Sequence, residues 1–235
     1  MAHQLPALVL LPGMDGTGEL FAPLLAALGG RFETIIVRYP LHEPCDYAGL
    51  LPIARAALPG DRPFMIVAES FSGPIGISLA AEAPSGLRGL VLCSTFARNP
   101  RPALANAARW LQAVPMHGAL VRLGAAAMLG SSAGPELRAM VERTVQQIPS
   151  DVLRARLRAV LQVDVTRELA SVIAPVLYLQ ATSDLAVPSS AAKVIRRIKP
   201  GANVVRIDGP HFLLQVRPDD AAREIARLGI STSAS

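Results

Sequence analysis

Residues 64–76 read Phe-Met-Ile-Val-Ala-Glu-Ser-Phe-Ser-Gly-Pro-Ile-Gly, and this segment predicts a buried strand that turns directly into a helix. The continuous apolar run Phe64–Ala68 is typical of a strand with both faces covered, and Ser70 follows it on the turn. A sharp turn of this kind needs small residues two positions before and after the serine, and Ala68 and Ser72 meet that requirement. Such a turn holds the Ser70 hydroxyl clear of the sheet, at the positive end of the following helix.

Ser70 is therefore a candidate nucleophile, although the usual form of this turn is Gly-x-Ser-x-Gly and both glycines are replaced here. The plain alternative is a serine that caps the following helix. Ser72 is a weaker candidate nucleophile, since it would place Pro74 two positions later and would itself lie in the first helical turn. Whether Ser70 is a nucleophile or a helix cap depends on whether other catalytic residues follow in the chain.

The rest of the chain alternates short apolar runs with helix-like segments, the pattern of a parallel sheet covered by helices on both faces. The six runs are Ala7–Leu11, Thr34–Val37, Phe64–Ala68, Gly89–Cys93, Pro175–Leu179 and Asn203–Ile207. The helical segments are Glu19–Leu28, Tyr47–Leu58, Phe71–Ala83, Ser189–Ile198 and a last helix from about Asp219 to Leu228, with Gly229 just past its end. The predicted fold is α/β, with a doubly wound, mainly parallel sheet of six strands.

One long segment, residues 98–167, has no strand-like run, and two sets of apolar residues recur in it at helical spacing. A connection of that length is too long for a simple crossover between two strands. We therefore predict a core formed by residues 1–97 and 168–235, with residues 98–167 inserted as a helical cap.

Two residues further along the chain complete a catalytic pattern around Ser70. A serine nucleophile needs a base to take its proton and an acid to orient that base, and folds of this kind carry them in the order serine, acid, histidine. Asp184 follows the run Pro175–Leu179, and His211 follows Asn203–Ile207. Both lie at the carboxyl ends of predicted strands, where the sites of open α/β sheets are found. The pattern predicts a triad of these three residues.

Other acids and histidines are weaker candidates for the same roles. Asp164 is the second choice for the acid, whereas Asp208 precedes His211 by only three residues and fits a turn better. Three further histidines fit surface or packing positions, although the last two could also face the site: His3, His42 and His117.

The segment Leu11-Pro-Gly-Met-Asp-Gly-Thr-Gly18 follows the first predicted strand. Acyl transfer develops negative charge on the carbonyl oxygen of the substrate, and backbone N–H groups held in place stabilise it. One N–H group comes from the residue after the nucleophile, Phe71, and the other from this loop, where Met14 is the best candidate. Glycine-rich loops also bind phosphates, but the glycine spacing here matches neither the P-loop nor the dinucleotide-binding fingerprint.

With these residues assembled, the chain resembles the α/β-hydrolase superfamily over nearly its whole length. It looks like the compact bacterial members that open on a Leu-Pro-Gly-x-Asp-Gly-Thr-Gly loop, and a similar loop occurs in plant esterase/acyltransferase proteins of the phytyl ester synthase kind. The resemblance implies Ser70, Asp184 and His211 as the triad, with Met14 and Phe71 as the oxyanion donors. It also implies a smaller, six-stranded sheet, since the antiparallel hairpin with which family members often begin would be missing here.

The chemistry expected from these residues is that of a serine carboxylic-ester hydrolase, which acts through an acyl-enzyme on a small or medium hydrophobic acyl ester. Superfamily dehalogenases and epoxide hydrolases use Asp at the position of Ser70, which argues against both. The alternatives are a thioesterase or acyltransferase with the same triad, or a hydrolase-like protein that binds a ligand without turnover. The apolar cap is expected to line the substrate pocket, with Trp110 and Met116 as candidates, and no metal or organic cofactor is required.

Composition limits the possible partners and location. The 235 residues carry a formal charge of +5, yet only 4% are aromatic and no nucleic-acid-binding module is present, so we expect no nucleic-acid partner. Residues 98–167 contain 10 Arg against 4 acids, which places the excess charge in the predicted cap. Two cysteines, no signal-peptide pattern and no apolar stretch of membrane-spanning length favour a soluble cytoplasmic protein that acts on a small ester or thioester without inserting into membranes. The sequence predicts no particular oligomeric state.

Overall fold

The computed structural model describes residues 5–104 and 118–233, and its centre is one sheet of six strands. The strands are β1 (Ala7–Leu11), β2 (Thr34–Ile36), β3 (Phe64–Glu69), β4 (Leu87–Cys93), β5 (Val176–Ala181) and β6 (Asn203–Ile207). Their order in the sheet is β2-β1-β3-β4-β5-β6, and every pair of neighbours is parallel. The predicted α/β fold with a six-stranded parallel sheet is therefore confirmed.

Helices cover both faces of the sheet. The helices are α1 (Ala22–Leu28), α2 (Tyr47–Ala56), α3 (Gly73–Ala81), α4 (Ala119–Leu129), α5 (Pro135–Gln146), α6 (Ser150–Gln162), α7 (Thr166–Ser171), α8 (Ser190–Ile198), α9 (Leu213–Val216) and α10 (Pro218–Ser233). Val9 and Ile66 pack in the core under α2, α3, α7 and α8, whereas their neighbours Leu8 and Met65 pack under α1, α9 and α10. Within the described ranges, no helix combines the length and the apolar character that crossing a membrane requires.

The order of the strands creates a crevice where β1 and β3 lie side by side. The chain moves from β1 outward to β2 and then returns past β1 to β3, so the direction of winding reverses between these two strands. In open α/β sheets this reversal leaves a crevice at the carboxyl ends of the strands, and ligands bind there. The loop after β1 and the turn after β3 both begin at this edge.

Two helix boundaries differ from the sequence prediction. The last helix continues past Gly229 to Ser233. Gly229 is buried, and a Cβ atom there would lie 3.1 Å from the ring of Phe32 and 3.3 Å from the methyl group of Met65. The glycine thus allows close packing and does not end the helix. The predicted helix Glu19–Leu28 begins as a short 3-10 turn, and α1 starts just before Pro23, whose ring suits the first turn of a helix.

Helices α4, α5 and α6 lie between β4 and β5, within the segment predicted to form a cap. The two ends of this segment meet, because Arg98 and Asp164 form an isolated antiparallel bridge. Backbone hydrogen bonds of 2.9 and 2.8 Å join residues 97–99 to residues 163–165, and we call these two short stretches the neck. Beyond the neck, α7 packs against α3 of the core.

Candidate active site

Ser70 lies on the sharp turn between β3 and α3. Its φ of +48° falls in the left-handed region, which is costly for a residue with a Cβ atom and persists only where the surrounding structure enforces it. The hydroxyl of Thr95, just after β4, donates to the carbonyl of Ser70 and helps to hold the turn. Gly73 permits that contact, because a Cβ atom there would lie 1.9 Å from the Thr95 hydroxyl.

The small residues that flank Ser70 have structural roles of their own. Ala68 packs against Gly76, where a Cβ atom would lie 2.7 Å from that of Ala68, so α3 sits very close to β3. Ser72 is fully buried, donates its hydroxyl to the carbonyl of Pro12 and accepts the hydroxyl of Tyr39 at 2.7 Å. Ser72 therefore anchors the loop after β1, and its hydroxyl is occupied by these bonds.

The structure brings Ser70, His211 and Asp184 together in one chain of hydrogen bonds. The Ser70 hydroxyl oxygen lies 2.8 Å from Nε2 of His211, and Nδ1 of the same ring lies 2.9 and 2.8 Å from the two carboxylate oxygens of Asp184. An ionised carboxylate only accepts hydrogen bonds, so Nδ1 carries the proton and Nε2 accepts the serine hydroxyl. The side chains of His211 and Asp184 are 8% and 5% exposed, which largely excludes water from their contact.

The loop after β5 holds the carboxylate of Asp184 in place. Its Oδ1 accepts the backbone N–H groups of Ala186 and Val187 at 2.9 and 2.8 Å. Hydrogen bonds from these two backbone groups fix the orientation of the carboxylate. The same group therefore accepts from the backbone on one side and from the imidazole of His211 on the other.

The two other candidates for the catalytic acid, Asp208 and Asp164, have hydrogen-bond partners that give them structural roles. The Thr182 hydroxyl donates to Asp208 at 2.8 Å, so Asp208 links the loops that follow β5 and β6. The backbone N–H and the hydroxyl of Thr166 both donate to Asp164 ahead of α7, and these bonds hold the pKa of Asp164 below its usual range. Of the other histidines, His42 is exposed and lies away from the cavity, whereas His3 and His117 fall outside the described residues.

The loop after β1 forms a tight turn beside Ser70. The carboxylate of Asp15 accepts the backbone N–H and the hydroxyl of Thr17 at 2.9 and 2.7 Å, which closes the turn. Met14 and Phe71, the predicted oxyanion donors, line the same cavity as Ser70. The two segments that carry the proposed donors therefore meet at the crevice between β1 and β3.

Two buried charged residues beside the site were not singled out by the sequence analysis. Glu69 directly precedes Ser70 and accepts Nε2 of Gln215 at 2.9 Å; burial raises the pKa of Glu69 to about 7, and nearby Asp15 acts in the same direction. Arg156 of α6 is fully buried and donates to backbone carbonyls of the loop after β1. Each interrupts an apolar pattern, and that interruption is the signal that could have identified them.

A cavity of about 430 Å³ opens above Ser70. Its walls include Phe96 and Phe212 from the core, and its roof includes Met128 of α4 and Leu157 of α6. Most of the lining residues are apolar, and Ser70 and His211 are among the polar ones. The arrangement suits a ligand that has a reactive polar centre and a hydrophobic substituent.

The remaining site predictions concern the pocket and metals. Trp110 and Met116, the residues predicted to line the pocket, lie outside the described residues. In residues 5–104 and 118–233, no group of three or more His, Cys, Asp or Glu side chains is arranged to hold a metal ion. Cys45 and Cys93 are free thiols.

Comparison with known proteins gives consistent results. The sequence model of one family, described as the alpha/beta hydrolase family, matches residues 8–225. RutD of Klebsiella pneumoniae, provisionally named a carbamate hydrolase, is 25% identical over 251 residues, which cover 96% of this chain and 91% of that protein. A pimeloyl-[acyl-carrier protein] methyl ester esterase of Xanthomonas campestris is 30% identical over 225 residues, 87% of each chain. The solved structure of a lipase-esterase related protein from Clostridium acetobutylicum matches with a TM-score of 0.81 at 17% identity, over 95% of this chain and 94% of that one, which shows the shared fold.

Proposed function

Because the chain belongs to the alpha/beta hydrolase family, we propose that it is a serine carboxylic-ester hydrolase with Ser70 as its nucleophile. The observation that carries the proposal is the continuous hydrogen-bonded chain from Ser70 through His211 to Asp184 at the base of an apolar cavity. A nucleophile, a base within hydrogen-bond reach and an acid that orients the base are what acyl transfer through serine requires.

In the proposed reaction, Nε2 of His211 takes the proton of Ser70 as the serine oxygen attacks the ester carbonyl carbon. The oxyanion of the tetrahedral intermediate accepts hydrogen bonds from the backbone N–H groups of Met14 and Phe71. When the intermediate collapses, the C–O bond to the alcohol breaks and His211 gives its proton to the leaving alcohol. Water, activated by the same imidazole, then attacks the acyl-enzyme and releases the carboxylic acid and free Ser70.

Asp184 acts through His211. Its negative charge stabilises the imidazolium that forms in both halves of the reaction, and its bond to Nδ1 keeps Nε2 directed at the serine. The backbone N–H groups of Ala186 and Val187 keep the carboxylate in one orientation while the ring changes charge.

The apolar lining favours a small or medium hydrophobic acyl group as the substrate. We also propose that residues 98–167 form the cap over this cavity, since α4 and α6 provide its roof. An acyl ester resembles the substrate in the name of the Xanthomonas relative. A substrate no larger than carbamate itself, the compound in the name of RutD, would leave most of the apolar lining without contact.

A series of p-nitrophenyl esters with acyl chains of graded length tests the proposal. Wild-type protein should hydrolyse them and react with a fluorophosphonate probe, whereas Ser70→Ala should lose both properties, with kcat falling by about 10⁶-fold as expected for loss of a triad nucleophile. Ser85→Ala is the matched control, because this exposed serine donates to Asp61 and does not line the cavity, so probe labelling should stay in place. Retained turnover in Ser70→Ala would refute the assignment of the nucleophile.

The same triad could also serve a thioesterase or an acyltransferase. Assays with thioesters of the same acyl groups, and with alcohol acceptors that compete with water, separate these activities from ester hydrolysis. A wild-type protein that binds hydrophobic ligands but neither turns over esters nor reacts with the fluorophosphonate would instead be a ligand-binding member of the fold.

A further inference from the structure

Arg156 is a buried charged side chain that connects the proposed cap to the loop after β1. It lies on α6, and its relative exposure is 0%. Along α6 the other buried residues are Val152, Leu153, Ala159 and Val160, so Arg156 occupies a position of the helical face that is otherwise apolar. A buried cation is unfavourable unless hydrogen bonds replace its lost hydration, so the partners of this guanidinium indicate why it is there.

The partners of Arg156 are three backbone carbonyls. Nη1 donates to the carbonyl of Met14 at 2.7 Å and to that of Asp15 at 3.0 Å, and Nη2 donates to the carbonyl of Pro40 at 2.9 Å. The guanidinium carbon also lies 5.9 Å from the centre of the Tyr39 ring, within the range of a cation–π contact. Two of the three bonds therefore go to the loop that follows β1.

The fit between this loop and the guanidinium leaves no spare space. Gly16 has a φ of +73°, and a Cβ atom there would lie 2.7 Å from Nη1 of Arg156. On its other side the loop is held by Ser72, which donates to the carbonyl of Pro12 and accepts the hydroxyl of Tyr39. The loop is thus fixed from two directions, by the turn after Ser70 and by the cap.

We propose that Arg156 is a positioning residue for the oxyanion hole, so that the cap takes part in catalysis as well as covering the pocket. The inference rests on the proposed function, because it assumes that the Met14 N–H group is an oxyanion donor. A carbonyl held by a hydrogen bond fixes the plane of its peptide group. The bonds to Met14 and Asp15 therefore fix the peptide next to the Met14 N–H group and keep that donor directed into the cavity.

This role has a kinetic signature. A donor that is slightly misdirected loses its contact with the oxyanion of the transition state, while the ground-state substrate, which is held by the apolar lining, binds as before. Loss of Arg156 should therefore reduce kcat and leave KM nearly unchanged. A misplacement of about 1 Å in an active site can cost up to about 100-fold in rate, and loss of an oxyanion donor costs about 10²- to 10³-fold.

The variants Arg156→Lys and Arg156→Met test the proposal, with Arg138→Met as the matched control. Lysine keeps the buried charge, but a single ammonium group cannot reach all three carbonyls; methionine keeps the approximate length and removes the charge. Arg138 also donates to two backbone carbonyls, those of Gly130 and Ala133, but both belong to the proposed cap and neither lies in the loop after β1.

We expect kcat for p-nitrophenyl esters to fall about 10- to 100-fold in both Arg156 variants, with KM within about twofold of wild type. The inhibition constant of an alkylboronic acid, which forms a tetrahedral adduct with the serine, should rise by a similar factor, while that of the carboxylic acid product stays constant. The Arg138→Met variant should keep wild-type kcat and boronate affinity even if its unfolding temperature falls.

Wild-type kcat in folded Arg156→Lys or Arg156→Met would overturn the inference, and so would equal losses of affinity for the boronate and the product acid. If Arg156→Met fails to fold, Arg156→Lys decides, because it retains the charge. Failure of the proposed function looks different: the wild-type protein itself would then show no Ser70-dependent turnover.

Discussion

Replacing Glu69 with Gln is expected to stabilise the protein at alkaline pH and to leave its stability nearly unchanged near pH 4.5. Glu69 is 5% exposed, and its carboxyl group lies beside Gln215 in a region that also contains Asp15, His211 and the thiol of Cys93. Burial raises the pKa of Glu69 from 4.5 to about 7, the nearby Asp15 adds to the effect, and the bond from Gln215 and the proximity of His211 oppose it. Glutamine keeps the shape and the acceptor oxygen of the side chain and never ionises.

The sign of the effect follows from where the proton is bound. Between pH 4.5 and about 7 the unfolded chain releases the Glu69 proton while the folded protein keeps it, so the free energy of unfolding falls as the pH rises through this range. The stabilising contribution is complete below pH 4.5 and is lost above about pH 7. At about 1.4 kcal/mol per pH unit, the difference between the two pKa values corresponds to about 3 kcal/mol.

Urea denaturation of wild type and Glu69→Gln at several pH values between 4.5 and 8.5 measures this difference directly. The gap between the two free energies of unfolding should open from near zero to about 3 kcal/mol in favour of the variant. Glu43→Gln, a change at an exposed carboxylate, is the control and should show no such opening. A gap that is constant with pH, or one that widens toward acid pH, would refute the reasoning.

Three further predictions concern the triad, the turn and the pocket. Asp184→Asn should lower kcat by about 10⁴-fold with little change in unfolding temperature, since the amide cannot hold the productive tautomer of the histidine; ester kinetics and a thermal scan check both parts. Gly73→Ala should lower the free energy of unfolding by about 1–3 kcal/mol in urea titrations, because its Cβ atom would collide with the hydroxyl of Thr95, and an unchanged midpoint would contradict this. Leu157→Trp should reduce kcat/KM about tenfold more for a long acyl ester than for the acetate, whereas Leu123→Trp, at an exposed position of α4, should treat both alike.

The positions of the strands were predictable because burial on both faces requires continuous apolar runs, as in Phe64–Ala68. Helix ends were less predictable, since the same residue type can serve two purposes. Gly229 looks like a stop signal in the sequence, but its lack of a side chain is needed for packing against Phe32 and Met65, which are distant in the chain. Only the tertiary contacts show whether a glycine ends a helix or allows close packing within it.

The candidate site also has features that the sequence predicts and features that it does not. Ser70, Asp184 and His211 each follow a predicted strand, and this was enough to predict that they lie at one edge of the sheet. Their distances depend on loop conformations that no local pattern specifies. Composition does not single out Arg156, because an arginine within residues 98–167 is one of ten. Only its position on the otherwise apolar face of α6 distinguishes this buried guanidinium from an exposed one such as that of Arg122.

The neck suggests how the proposed cap could be replaced by another segment. Since Arg98 and Asp164 are paired, the two ends of the insertion are already adjacent, and a foreign helical segment grafted at these positions would close no additional loop in the core. Such a chimera should fold around an undisturbed sheet and acquire the pocket shape of the donor. Under the proposed role of Arg156, the chimera would also have to deliver a cation to the carbonyls of Met14 and Asp15, so cap libraries for altered specificity should retain arginine at the position equivalent to Arg156.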